Sequence, residues 1–147
     1  MTDTNNKSAL EADFNKRVDE YRKKVGGVNI GAFLVPPLWG AFRGYWVTVL
    51  FYPLWIFADD AFYDAYSIGS TLSIVIACLI LAGLIIATAI FARTAQTAII
   101  GKAIVNGVSV EDFKRKERTM AIVCGIVAVL VIILATYWNL VLRPTLL

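Results

Sequence analysis

Three aspartates, Asp59, Asp60 and Asp64, stand close together beside an apolar stretch and are the clustered carboxylates best placed for chemistry at a membrane surface. Asp60 and Asp64, four residues apart, would share one face of a helix and could hold a divalent cation with help from backbone oxygens. No EF-hand spacing surrounds them, and Phe62, Tyr63 and Tyr66 are interleaved with them. The plainer expectation is a short, solvated, acidic aromatic turn that enforces orientation or docks a partner. Arg43 is the most informative single charge, between Gly40 and Gly44 and near Trp39 and Trp46. A guanidinium there could bind phosphate or carboxylate at the membrane surface. The plainer expectation is an anchor that snorkels to water. The chain has no histidine, which removes the commonest metal ligand and the commonest general base. Cys78 and Cys124 lie apart within apolar runs, forming neither a CxxC pair nor a zinc pattern. No catalytic, cofactor or metal constellation is expected, and the chain does not read as an enzyme.

The elements that position these groups are set by hydropathy. Of 147 residues 59% are hydrophobic, and the mean hydropathy is +0.69, too apolar for a soluble globule of this size to bury. Residues 67–92 and 119–142 carry no charge, and each is long enough to cross a bilayer. A shorter first span is expected over about 44–58, kinked at Pro53. Ahead of it, residues 28–43 are apolar but broken by Pro36 and Pro37. Broken backbone inside hydrocarbon needs protein or water to satisfy it, so a short re-entrant or interfacial segment is expected, with Trp39 and Trp46 at headgroup depth.

Residues 1–27 form a polar cytoplasmic segment. Met1 and the six residues after it read as disordered. Beyond them Leu10, Phe14, Val18, Tyr21 and Val25 recur at helical spacing, and Ser8 precedes Glu11 at the capping-box spacing. This amphipathic helix would lie on anionic headgroups, or pack on a partner or on the chain's own cytoplasmic loop. With this polar start no cleavable signal peptide is expected, and the first apolar segment would act as an uncleaved anchor. Residues 93–118 read as a helical hairpin that turns at Asn106 and Gly107. Ser109 and Asp112 would cap the basic helix entering the last span. That helix is better explained by membrane orientation than by nucleic acid.

Seven Lys or Arg precede the first span, six lie in the loop between the other two, and Arg143 stands alone beyond the last. The positive-inside rule makes the side with thirteen cytoplasmic. The expected architecture is an all-α integral membrane domain, residues 28–147, with three transmembrane helices, N-in and C-out. No Asp, Glu, Lys, Arg or His lies inside residues 67–92 or 119–142, which argues against a pump or secondary transporter acting alone. Small residues recur at four-residue spacing, as in Ser73 and Ala77, Gly83 and Ala87, Ala121 and Gly125, Cys124 and Ala128. They point to close helix packing within the chain or against partners.

Residues 29–39 read Asn-Ile-Gly-Ala-Phe-Leu-Val-Pro-Pro-Leu-Trp. Asn29, Ala32, Phe33, Leu34, Pro37 and Trp39, followed by the basic Arg43, resemble the opening of a family of small bacterial inner-membrane proteins of unknown function. Residues 93–96, Arg-Thr-Ala-Gln, and the helix over 113–118 resemble that family's cytoplasmic loop, so the likeness covers 28–120. Val28 stands where the family usually has an aromatic, and the zinc-ribbon-like N-terminus of some members is absent. The resemblance implies a multi-pass protein of the bacterial inner membrane and brings no activity or cofactor.

Two functions follow as expectations. The first is an accessory, assembly or regulatory subunit of a larger membrane complex, in contact with lipids and with other subunits or further copies of itself. The second is a homo-oligomeric channel or small-solute transporter, with the Pro36 and Pro37 break as its gate. The residues expected to carry interaction or headgroup binding are Asn29, Pro36, Pro37, Trp39, Arg43 and Trp46. An enzyme acting on lipid phosphates through Arg43 and the aspartates is excluded if the first span separates them.

Overall fold

A computed structural model of the protein describes residues 2–146, with side chains described for 7–145. Among the described residues the regular structure is entirely helical, without strands. In chain order they form α1 (Thr2–Val25), α2 (Ile30–Leu34), α3 (Pro36–Arg43), a 3-10 turn (Trp46–Leu50), α4 (Phe51–Ile68), α5 (Thr71–Val105), α6 (Val110–Tyr137), a π-helical turn (Trp138–Leu142) and a last short turn, α7 (Arg143–Leu146). Two helices are long and apolar enough to cross a membrane: Thr71–Val105, and the continuous rod Val110–Thr145.

Proline chemistry sets the broken segment. Val35, at φ −139° and ψ 75°, leaves the helical region and ends α2, because the residue before a proline is pushed out of it. Pro36 and Pro37 then occupy the first turn of α3, where no amide donor is needed. Gly44, at φ 75°, closes α3 in the left-handed conformation, which glycine adopts without strain, and so leaves Arg43 on the last helical turn.

α2 is a wedge. It packs against both α5 and α6, whereas those two helices make little direct contact with each other. Small residues let it in: Ala32 and Cys124 are fully buried, and a side chain at Gly125 would stand 3.9 Å from Leu34. The small-residue positions around Cys124 are therefore used inside the chain. Gly83 faces open space.

Trp39 is the centre of the core, with no exposed surface. It stacks on Tyr45 at 5.7 Å and meets Phe91 edge-on at 5.9 Å. Trp39 is therefore a core residue and does not present its ring to the surroundings. The break in the chain turns its ring inward, beneath α5, while Trp46 remains 71% exposed.

Two expectations change. α1 is helical from Thr2, so Ser8 lies within the helix and not at its cap. The aspartates do not lie in a turn: α4 runs through all three and ends at Gly69. Pro53 falls in the first turn of α4, directly after the 3-10 turn, where the backbone amides have no α-helical partner to lose. The hairpin is as expected, with α5 running on to Val105, a turn at residues 106–109, and Ser109 accepting a 3.1 Å hydrogen bond from the amide of Asp112.

α1 rests on this hairpin. Tyr21 meets Phe113 edge-on at 5.5 Å, and its hydroxyl donates to the carbonyls of Val108 and Ser109 at 3.2 and 3.1 Å. Val18 is buried in the core, and Arg22 donates to Thr97. Burial, then Glu111 and Asp112, push the Tyr21 phenol above its ordinary value. A raised pKa means that the folded state holds the proton more tightly, so this contribution is complete below the ordinary phenol range and is lost as pH rises through the raised value. Tyr21→Phe is expected to weaken the docking of α1 by about 1 kcal/mol. Faster amide exchange along α1, with α5 unchanged, is the measurement that checks it.

Candidate functional site

Asn29 begins the site. Its carbonyl oxygen caps α2 by accepting from the amide of Ala32 at 2.8 Å, and its own backbone amide donates to the carbonyl of Ala92 at 3.2 Å. The side-chain NH2 donates to Gln96 at 3.1 Å and to Glu117. Gln96 in turn donates to the carbonyl of Gly26 at 3.2 Å. The other carboxylate oxygen of Glu117 takes an ion pair and hydrogen bond from Arg43. Asn29 and Gln96 are each only 3% exposed. One carboxylate, two amides and one guanidinium thus join the α1–α2 link, α3, α5 and α6.

Charge-assisted hydrogen bonds of this kind are strong, and in a weakly polar surround the penalty for leaving one group unpaired is severe. The break at Pro36 and Pro37 is held by this node. Its polar groups are turned on one another, so the arrangement is a clamp with no nucleophile in it. Gln96 and Glu117 were not among the candidate residues. Gln96 sits one turn beyond a long uncharged run, and Glu117 is the single acid in residues 113–118. Either position could have been flagged as a polar group on a helix face that turns inward.

The six candidates therefore separate. Asn29, Pro36, Pro37 and Trp39 are buried and build the wedge, so they offer nothing to a headgroup. Arg43 is half-buried against Glu117, its guanidinium 5.9 Å from the Trp39 ring centre, and Trp46 is exposed.

Comparison with protein-family profiles, with characterised proteins and with solved structures gives no match.

The aspartates lie at the other end of the molecule. Asp59 accepts from Asn139 at 2.8 Å, and Arg143 pairs with Asp60 at 3.0 Å while standing 3.8 Å over the Tyr63 ring. Arg143 follows Glu117 by 26 positions on one rod, roughly 39 Å at helical rise. Arg43 and the aspartates cannot share a site, whatever the orientation of the chain. Among the described residues there is no group of three or more His, Cys, Asp or Glu that could hold a metal ion.

Between the two ends lies a groove. Because α2 holds α5 and α6 apart, a cavity of about 1120 Å³ is left between α4, α5 and α6. Phe33 and Leu34 of the wedge line it, the small residues Ala58, Thr88, Ala128 and Ala135 form part of its walls, and Asp59, Asp60 and Arg143 lie in its lining.

Proposed function

We propose that this protein is a small integral membrane protein with three spans, N-in and C-out, acting as an accessory, assembly or regulatory subunit of a larger bacterial inner-membrane complex. In this reading it belongs with the family of small inner-membrane proteins that residues 29–39 resemble, and it performs no catalysis. The observation that carries the proposal is the groove between α4, α5 and α6. We assign it to one transmembrane helix of a partner protein.

The size favours a helix face over a small molecule, since about 1120 Å³ exceeds the roughly 300–1,000 Å³ of ordinary ligand pockets. Ala58, Thr88, Ala128 and Ala135 leave room for a second backbone to approach. The mouth carries Asp59 and Asp60 against Arg143, polar groups that can hydrogen-bond the outer end of a partner helix. The distribution of Lys and Arg supports the orientation, and α4 with the preceding 3-10 turn serves as the first span. The channel reading draws no comparable support, because Pro36 and Pro37 are packed away from any opening.

Ala128→Trp and Ala135→Trp fill the groove from the α6 wall without touching the Asn29–Glu117 node. Purified gently from its native membrane, the wild-type chain is expected to carry one stoichiometric membrane polypeptide. The Trp variants are expected to lose at least about tenfold of it, equivalent to about 1.4 kcal/mol, while keeping their helicity and melting temperature. A wild-type preparation that is monodisperse and free of other polypeptides overturns the proposal, as does a groove holding only lipid.

A further inference from the structure

A second cleft, of about 320 Å³, opens beside the polar node, where α3, the turn after it, α5 and α6 converge. Arg43, Lys102 and Lys116 line it together with Tyr45, Asn106 and Glu117. Three cations face one carboxylate, a local net charge of +2. Glu117 is already engaged by Arg43 and Asn29. Lys102 stands 4.6 Å over the Tyr45 ring, and neither Lys102 nor Lys116 has a carboxylate partner among the described residues.

We propose that this cleft binds a phosphate group presented at the membrane surface, with Lys102 and Lys116 as its charge partners and Arg43 as the fixed guanidinium at its floor. Phosphate is the ligand class that suits this set. Two mobile ammonium groups suit a multiply accepting anion as point charges, and a guanidinium oriented by Glu117 adds directed donors. The Asn106 amide supplies a neutral donor for an ester oxygen. The surroundings point to a headgroup. Phe42, which lines the cleft, is 64% exposed, and Trp46, next to Tyr45, is 71% exposed, so apolar surface borders the charged floor as an acyl chain borders its phosphate. The sequence explains Lys102 and Lys116 as orientation signals. The fold adds that residues fourteen positions apart and on different helices share one cleft.

This inference rests on insertion of the long helices in a membrane and is independent of any partner polypeptide. The full chain is reconstituted in nanodiscs of phosphatidylcholine, alone or with phosphatidylglycerol, and retained lipid is counted by native mass spectrometry. Wild type is expected to retain phosphatidylglycerol preferentially, and Lys102→Gln with Lys116→Gln is expected to lower that preference about thirtyfold, given about 1 kcal/mol for each basic residue near an anionic surface. Lys23→Gln with Lys24→Gln removes the same charge from α1, outside the cleft, and is expected to change the preference much less. Inorganic phosphate is the second probe. Its binding through Lys102 and Lys116 with displacement of the lipid assigns the same chemistry to a soluble phosphate, and lipid retention that ignores it assigns the headgroup. Equal losses in the two double variants, or an unchanged preference in Lys102→Gln with Lys116→Gln, overturn the proposal.

Discussion

Gly40→Ala is expected to be the most damaging single-methyl change in the chain. Gly40 lies in α3 where the backbone turns back on itself: the amide of Tyr45 donates to the Gly40 carbonyl at 2.8 Å, and Thr48, 1% exposed, is folded over Gly40. A Cβ at Gly40 would stand 2.7 Å from the Thr48 Cβ and closer still to its branches. Thr48 cannot swing aside, because its hydroxyl donates to the Tyr45 carbonyl at 2.8 Å and its neighbours are packed. Overpacking of this kind costs typically 1–3 kcal/mol, and the rigidity of this turn places it at about 3 kcal/mol. The loss is expected in equilibrium unfolding in mixed micelles, with α3 released from the core and Trp39 fluorescence moved toward that of an exposed indole. Adding Thr48→Gly removes the obstructing side chain and is expected to restore most of the stability. A Gly40→Ala protein as stable as wild type would show that α3 and the 3-10 turn do not approach so closely.

Glu117→Ala is expected to cost about 2–3 kcal/mol, below the 3–5 typical of a fully buried pair, because the partners keep some solvent contact. Their side chains are 16% exposed for Glu117 and 28% for Arg43. The substitution strands Arg43 in a half-buried position and takes a partner from the Asn29 NH2, while Asn29 still has Gln96 and its cap on α2. Replacing both ends of the ion pair with Met is expected to cost less than Glu117→Ala alone, since no lone charge is left behind. A double-mutant cycle across Arg43 and Glu117 in the same unfolding assay should therefore give coupling of at least about 1 kcal/mol. Coupling near zero would mean that the wedge is held by packing alone.

Both effects fall on the segment over 28–43, which sequence periodicity described least well. Much around it was legible. Residues 71–92 of the first uncharged run and all of the second, 119–142, lie within the two long helices, while 67–70 end α4 and cap α5; Asn106 and Gly107 turn the hairpin, Ser109 caps α6, and the Pro36 and Pro37 pair breaks the chain. These are local matters, decided by transfer of side chains to an apolar medium, by φ preference and by hydrogen bonds three residues apart. The α1 stripe of Leu10, Phe14, Val18, Tyr21 and Val25 was legible as a face but not as to what it faces. The structure turns Val18 inward and lays Tyr21 on the carbonyls of residues 108 and 109, a contact across more than eighty positions that no periodicity encodes.

The aspartates show the opposite failure. Charge and aromatic residues over 59–66 read as a loop, yet α4 continues through them, where Asp59 and Asp60 find Asn139 on the π-helical turn and Arg143 on α7, which continue the rod beyond α6. Tertiary partners remove the reason for the helix to stop.

By itself the sequence determined that this chain is helical, that two of its segments match a bilayer, and that residue 35 must leave the helical region, since each depends on neighbours within a few positions. Only the tertiary structure decided that Asn29, Gln96, Glu117 and Arg43 form one clamp, that Trp39 faces the core, and that the wedge leaves a groove on one side and a cationic cleft on the other. Those outcomes depend on which helix faces meet across 67 to 88 positions of chain. A buried amide or carboxylate is stable only where a distant partner completes its hydrogen bonds.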